Sequence, residues 1–292
     1  MLPQCVELAA RLEDAALTTW LASRLELSSS ICASPTPVTS WRKRLDGMNM
    51  PNVVNRIRQF KVYDWLMLAC DAVYPPICLL CGAAGETGRD LCHACLLDLP
   101  CNERACSRCG LPLALGTDVE CGRCQRASPP FDRTLAPYLY RPPIDKLIQS
   151  LKFARGFPEG RLLGMLLASA VPPDAVPDAI VPIPLHPRRL RERGFNQAAE
   201  IARPLGRSLG IPVLSHVLRR VRPTATQTGF DANMRKRNVR GAFAAAERPV
   251  PKRIAILDDV ITTGATASEA ARALRRAGAE EIAIWAVART PR

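Results

Sequence analysis

Long apolar runs are missing from this chain of 292 residues. No segment approaches the roughly 18–20 uninterrupted apolar residues that a membrane-spanning helix needs. The longest candidate, residues 162–171, is broken by Gly164 and Ser169 and reads as a buried helix. The amino terminus has no basic stretch followed by an apolar core, so no secretory signal is expected and a cytoplasmic location follows by default. Histidine is scarce, three in all, and no Cys/His or Ser/His/Asp grouping stands out as the apparatus of a covalent nucleophile. Within the basic segments the aromatic residues are limited to Phe195, Phe230 and Phe243, few for a surface that stacks single-stranded bases.

Positive charge, by contrast, is in excess. Forty Lys and Arg against 27 Asp and Glu give +13 and a pI near 9.5. Residues 186–240 hold 13 Arg and Lys against 3 Asp and Glu, and so account for ten of the net charges. Such a balance suits phosphorylated metabolites, nucleic acid or an anionic membrane surface, without choosing among them. Some of these side chains, Arg203 and Arg207 first, read as the solvated face of a helix.

The length accommodates one α/β domain plus smaller modules. Residues 1–60 carry an amphipathic run at 6–27 and a Ser/Pro/Thr-rich linker at 28–40. Two readings of this extension stand: translation begins at Met48 or Met50, or residues 1–47 form a helical extension without chemistry. Residues 61–130 are dense in Cys, Gly and Pro and cannot build a conventional core. From residue 131 onward the pattern alternates. Helices are predicted over 145–153, 160–170, 196–209 and 267–277, and strands over 179–183, 254–257 and 281–288, with Gly278 stopping the last helix. Alternation of this kind implies a parallel sheet with helices on both faces.

Twelve cysteines in a reducing compartment point to metal ligands or free thiols. Eight fall into four CxxC knuckles: Cys78 with Cys81, Cys92 with Cys95, Cys106 with Cys109, and Cys121 with Cys124. Each knuckle aims two thiolates at one point, and two knuckles complete a closed tetrahedral site of the structural zinc type. Glycines follow Cys81, Cys109 and Cys121, where the turns must tighten. A segment this small depends on its metals, since a structural zinc supplies roughly 10–16 kcal/mol of folding free energy. Cys5, Cys32, Cys70 and Cys101 read as simple buried or free thiols, and His93 as a solvated loop residue inside a completed knuckle.

The run IAILDDVITTGAT at 254–266 carries the second constellation. An apolar strand delivers Asp258 and Asp259 at its carboxyl end, and Val260 and Ile261 lead into Thr262, Thr263, Gly264, Ala265 and Thr266 ahead of a helix. Amide groups at a helix start, the helix dipole and threonine hydroxyls together form an anion cradle. Gly264 lets the backbone close around a phosphate. Acids beside such a cradle call for ribose hydroxyls or a bridging Mg²⁺.

That run resembles the phosphoribosyl pyrophosphate (PRPP) motif of type I phosphoribosyltransferases. Together with CGRCQRASPPFD, the Leu151-Lys152-Phe153 element, IVPIPLHPRRLRERGFNQA at 180–198 and RPTATQTGFDANMRKRNVRGAF at 222–243, it resembles the ComF (GntX-like) family, which joins zinc ribbons to such a domain. The resemblance covers residues 68–292 and implies a ribbon module at 61–130 and a phosphoribosyltransferase fold at 131–292. It further implies that Asp258 and Asp259 contact the ribose hydroxyls of PRPP and that residues 262–266 hold its 5-phosphate. Pro184, Leu185 and His186 would form the pyrophosphate loop, with Arg188, Arg189, Arg191 and Arg193 meeting leaving-group charge. Residues 222–240 resemble a loop that closes over PRPP, with Arg222, Gln227, Arg235 and Asn238 as candidates. His186 has two readings, a proton-transfer group or a plain hydrogen-bonding residue at a strand end.

The implied cofactors are two structural zincs and Mg²⁺ with PRPP. The implied role is DNA uptake in competence, with single-stranded DNA and proteins of the uptake machinery as partners. Three functions remain open at this point. They are a phosphoribosyltransferase with an unidentified nitrogenous acceptor, a non-catalytic nucleic-acid-associated competence factor that retains a PRPP or nucleotide site, and an adaptor acting through its ribbons.

Overall fold

A computed structural model describes residues 75–114, 119–153, 156–222, 239–245 and 250–291. The expected amphipathic run at 6–27, the linker, the alternative starts, Cys5, Cys32 and Cys70, the aromatic Phe230, and the loop candidates Gln227, Arg235 and Asn238 lie outside the described residues. Those described fall into two compact units, 75–93 and 94–291, which part inside the Cys92–Cys95 knuckle.

In chain order the helices are α1 (His93–Leu97), α2 (Gly122–Arg126), α3 (Ile144–Phe153), α4 (Phe157–Ser169), α5 (Pro187–Arg193), α6 (Gln197–Leu209) and α7 (Ala265–Arg276). The strands are β1 (Arg133–Leu135), β2 (Tyr138–Leu139), β3 (Ala179–Pro182), β4 (Leu218–Arg220), β5 (Phe243–Ala245), β6 (Arg253–Ile261) and β7 (Glu281–Arg289). None of the helices among the described residues is long and apolar enough to cross a membrane.

The main sheet is parallel throughout, in the order β1-β7-β6-β3, with β2 following β1 along the same edge of β7. A further parallel bridge joins Ile180 to Val213 on the outer side of β3. From β3 the chain therefore passes through α5 and α6 to the outer edge, then returns through the antiparallel pair β4–β5 to enter β6 on the inner side. The direction of winding reverses between β3 and β6, which makes their carboxyl ends the crevice where open α/β sheets bind ligands.

Helical spacing explains the layers. Ala267, Ala270, Ala271 and Leu274 recur at i, i+3, i+4 and i+7 along α7 and pack on Ile254, Ile256, Ile282 and Ile284. Successive strand residues face opposite sides, so Ala255, Leu257, Ala283 and Trp285, also buried, cover the other face. There α4 and α6 contact the sheet. Helix α3 repeats the same spacing with Ile144, Leu147, Ile148 and Leu151. Gly164 lets α4 approach α6 closely: a Cβ there would stand 2.6 Å from Pro204 Cγ and 2.7 Å from the Ile201 carbonyl oxygen.

Two expectations change. The strand predicted over 254–257 runs on to Ile261, because β7 keeps pairing as far as Arg289 opposite Ile261. Asp258 and Asp259 thus lie inside the strand. The turn after β3 opens the short helix α5, which the sequence reading did not contain. Its start is fixed by His186, whose Nδ1 accepts from the Arg188 amide at 3.3 Å, and by Pro187 at the first helical position.

Candidate active site and metal centres

Strand β3 pairs with β6 only as far as Pro182 opposite Leu257. Beyond that point the two chains diverge, and β6 continues with β7 alone. The gap is a cavity of about 340 Å³. Its floor is Asp258–Thr262, one wall is the loop and first turn of α7 (Gly264–Ala267), and the facing wall carries Leu185, Arg189, Arg193 and Asn196. Asn196 holds that wall in place. Its Oδ1 accepts from the Ala198 amide at 3.1 Å, capping α6, while its Nδ2 donates to the Ile183 carbonyl at 3.0 Å at the end of β3.

The acids are ordered by their own backbone. Asp258 Oδ1 accepts from the Asp259 amide at 3.0 Å, and Asp259 Oδ1 from the Val260 amide at 2.8 Å. Lys152, at the end of α3, places its Nζ 2.5 Å from Asp259 Oδ2. Burial, and then the charge of Asp259 beside it, raises the Asp258 carboxyl to about 8, opposed in part by Lys152. At neutral pH the Asp258 carboxyl is therefore mostly protonated. Lys152 belongs to an element singled out in the sequence but had no assigned role there.

Cations line the opposite side. Arg193 lies over the Phe153 ring, 5.8 Å from its centroid, and Arg220 over Phe243 at 5.4 Å. Burial and then repulsion from Arg189 lower both guanidinium groups, while the acids raise them: Asp259 acts on Arg193 and Asp258 on Arg220. Helix α5 therefore divides its arginines. Arg189 and Arg193, four residues apart, face the cavity, whereas Arg188 and Arg191 are exposed, Arg188 pairing with Glu192 at 3.0 Å. Arg203 is likewise solvated and paired with Glu200 on its own helix.

Of the loop residues, Thr262, Gly264, Ala265 and Thr266 line the cavity, and Gly264 adopts φ +77°, a left-handed conformation that glycine tolerates best. The amides of the first helical turn have no partner within the helix. Thr263 turns away from the lining: its Oγ1 accepts from the Ala265 amide at 3.4 Å. Pro184 and His186 flank Leu185 without lining the cavity. His186 is the cap of α5, the plain hydrogen-bonding role of the two considered.

The cysteines converge as two quartets. The sulfurs of Cys78, Cys81, Cys92 and Cys95 lie within 4.8 Å of one another, as do those of Cys106, Cys109, Cys121 and Cys124. A tetrahedral zinc with bonds of about 2.3 Å sets sulfurs about 3.8 Å apart. The separations of 3.6 Å between Cys81 and Cys92 and 3.7 Å between Cys109 and Cys121 match that edge. Gly82 and Gly110 follow the knuckles with φ of +76° and +68°, whereas Gly122 opens α2.

The thiols are electrostatically divided. At Cys78, burial is outweighed by amide donors from Cys92, Cys81 and Leu80, which bring the thiol to about 6. At Cys124, burial and the neighbouring Cys109 and Cys121 push the thiol up. Four thiolates this close need a dication, and both quartets fit structural zinc with no open coordination position. His93 is half-exposed and sits 3.4 Å from Glu86, outside the quartet. Cys101 is half-buried and forms an isolated antiparallel bridge with Tyr138.

Comparison with known proteins bears on both features. The double zinc ribbon domain family matches residues 69–125. The DNA utilization protein YhgH of Escherichia coli is 38% identical over 226 residues, covering 74% of this chain and 98% of the relative. YhgH of Salmonella typhimurium is similar to the same extent. Competence protein F of Haemophilus influenzae is 39% identical over 194 residues, covering 63% of this chain and 84% of the relative.

Proposed function

The chain belongs to the family of competence protein F and the DNA utilization protein YhgH, and from that membership and the cavity we propose that it serves DNA uptake or utilisation through a site that binds PRPP with Mg²⁺. In this reading residues 61–130 are the ribbon module and 131–292 a phosphoribosyltransferase-like domain. One observation carries it: paired acids, a helix-start loop and three arginines, Arg189, Arg193 and Arg220, meet in one cavity at the point where the strand winding reverses.

Each part has a matching group on the ligand. In the loop 262–266, the hydroxyls of Thr262 and Thr266 and the amides of the cavity-lining residues suit the 5-phosphate. Asp258 and Asp259 suit the ribose 2- and 3-hydroxyls, with Lys152 holding Asp259 in place through its ion pair. Arg189 and Arg193 supply positive charge for the pyrophosphate. Bound Mg²⁺ would neutralise pyrophosphate oxygens and assist the departure of that group. Transfer would break the C1–O bond as a nitrogen nucleophile approaches, and the protein's share is positioning and charge stabilisation. Titration calorimetry with PRPP and Mg²⁺ tests the site. Binding by the wild type and its loss in Asp259→Asn are expected; no heat with the wild type refutes the reading. Pyrophosphate release across a panel of bases, amides and amines then reports turnover and acceptor.

A second reading, contact with single-stranded DNA, is favoured by an arrangement the sequence did not reveal. Phe153 (77% exposed) and Phe157 (54% exposed) stand beside α5, Phe153 under Arg193 and Phe157 against Phe195 at 5.7 Å. Exposed rings next to arginines suit stacked bases and their phosphates. Phe243 is buried and unavailable for this. Affinity for oligo(dT) measured against salt should fall steeply for the wild type and drop about tenfold or more for Phe153→Ala. A flat salt dependence removes this reading.

A further inference from the structure

We propose that Arg289 is a positioning residue that couples the second cysteine quartet to the loop of the cavity, so that metal held by Cys106, Cys109, Cys121 and Cys124 sets the shape of the ligand site. The ligand's identity rests on the reading above; the coupling itself does not.

Arg289 ends β7 and is 1% exposed, a guanidinium sealed inside the protein. Its Nε donates to the carbonyl oxygen of Cys109, a quartet residue, at 3.1 Å. Its Nη1 donates to the carbonyls of Ile261 at 3.1 Å, Thr290 at 2.9 Å and Thr262. Ile261 is its register partner across the sheet, and Thr262 is the first residue of the loop that lines the cavity. The planar fork thus gathers carbonyls from a metal knuckle and from the ligand loop into one node, a geometry that an ammonium or an apolar side chain does not reproduce.

The other half of the quartet reaches the same loop independently. Arg123, between Cys121 and Cys124, points its Nη1 at the Thr263 carbonyl oxygen, 3.5 Å away. Successive residues 261, 262 and 263, the end of β6 and the start of the loop, are therefore tied to both knuckles of one metal centre. The Cys106–Cys109 knuckle is in turn fixed to the sheet edge. Thr134 donates through its amide to the Ser107 carbonyl at 2.9 Å and through its hydroxyl to the Arg108 carbonyl at 2.6 Å. Asn102 Nδ2 bridges the carbonyls of Gly110 and Ala136, each at 3.0 Å. Without metal the two knuckles lose their common point, and the loop loses the anchors that lead to them. Reciprocally, a ligand that favours the anchored loop tightens metal binding at this quartet by the same factor.

Hydrogen exchange on the full chain with both metals bound tests the coupling without any ligand. In Arg289→Met, with two zincs per chain retained, amides of residues 261–266 should exchange roughly ten- to a hundredfold faster than in the wild type, and Arg289→Lys should restore only part of the protection. Arg123→Ala, on a half-buried side chain, should give a smaller increase confined to the loop. Should Arg289→Met not fold, the same loop is followed in the wild type as chelator strips its zinc. Loop exchange that stays unchanged while residues 106–124 lose protection overturns the coupling. So does unchanged loop exchange in a folded, zinc-loaded Arg289→Met. Failure of PRPP to bind leaves these readouts intact and sinks only the ligand assignment.

Discussion

Replacing Asp258 with asparagine should stabilise the protein while removing a ligand contact. The wild-type carboxyl is raised from 3.8 to about 8 by burial and by Asp259. Between those values the folded state keeps a proton that the unfolded chain has released. The folded state therefore binds more protons, and stability falls as pH rises through that window, levelling off above about 8. Each unit of displacement corresponds to about 1.4 kcal/mol, so three units between pH 4 and 7 set an upper bound of about 4 kcal/mol. Partial access of the side chain to solvent reduces the expected cost at pH 7 to the order of 2 kcal/mol. Asparagine keeps an oxygen for the Asp259 amide, now 3.0 Å from Asp258 Oδ1, and has no proton to release. Asp258→Asn should thus melt roughly 4–8 °C above the wild type at pH 7–8, with the difference shrinking toward pH 5. Scanning calorimetry from pH 5 to 9 on both chains measures this. Metal loss at acid pH affects both alike and cancels in the difference. A difference that does not change with pH between 6 and 8 refutes the argument.

Lys152→Met leaves two adjacent carboxylates without their cation, so stability at pH 8 should fall by roughly 1–3 kcal/mol, and by less at pH 6, where a shared proton relieves the pair. Denaturant titrations at the two pH values check the sign and the difference. Metal analysis after purification without chelator should return two zincs per chain for the wild type and one for Cys109→Ser, and a wild type with fewer than two refutes the double site.

The features legible in the sequence are those whose signal is local. Helices α3 and α7 show apolar residues at i, i+3, i+4 and i+7, and the CxxC spacing displays each knuckle whole. What escaped has no local signal. Helix α5 buries none of its residues, so it presents no apolar stripe; only its cap, His186-Pro187, and Gly194 after it mark it. Strands β1 and β2 are three and two residues long, below any readable alternation. Lys152 on Asp259 and Arg289 on Cys109 are contacts between distant parts of the chain, visible only once the sheet has brought them together. The sparse aromatics of the basic segments misled for the same reason: Phe153 and Phe157 lie in α3 and α4 and reach α5 through the fold.

The end of β3 pairing explains why acids and arginines face each other here. Because β3 stops at Pro182 while β6 runs four residues further, the edge of β6 from Asp258 to Ile261 has no strand beside it. An uncovered edge in the middle of a sheet exposes backbone donors and acceptors and must be satisfied by something else. Beside that gap the acid side chains accept the amides of Asp259 and Val260, Lys152 pairs with Asp259, and α5 turns Arg189 and Arg193 toward the gap. The charge is divided rather than cancelled, with anionic groups on the floor and cationic groups on the wall. A ligand that suits such a cavity must carry both polar neutral groups for the acids and strong anionic groups for the loop and arginines. A phosphorylated sugar meets both demands. A simple inorganic anion meets only the second, and should bind more weakly than PRPP by the contribution of the acidic floor.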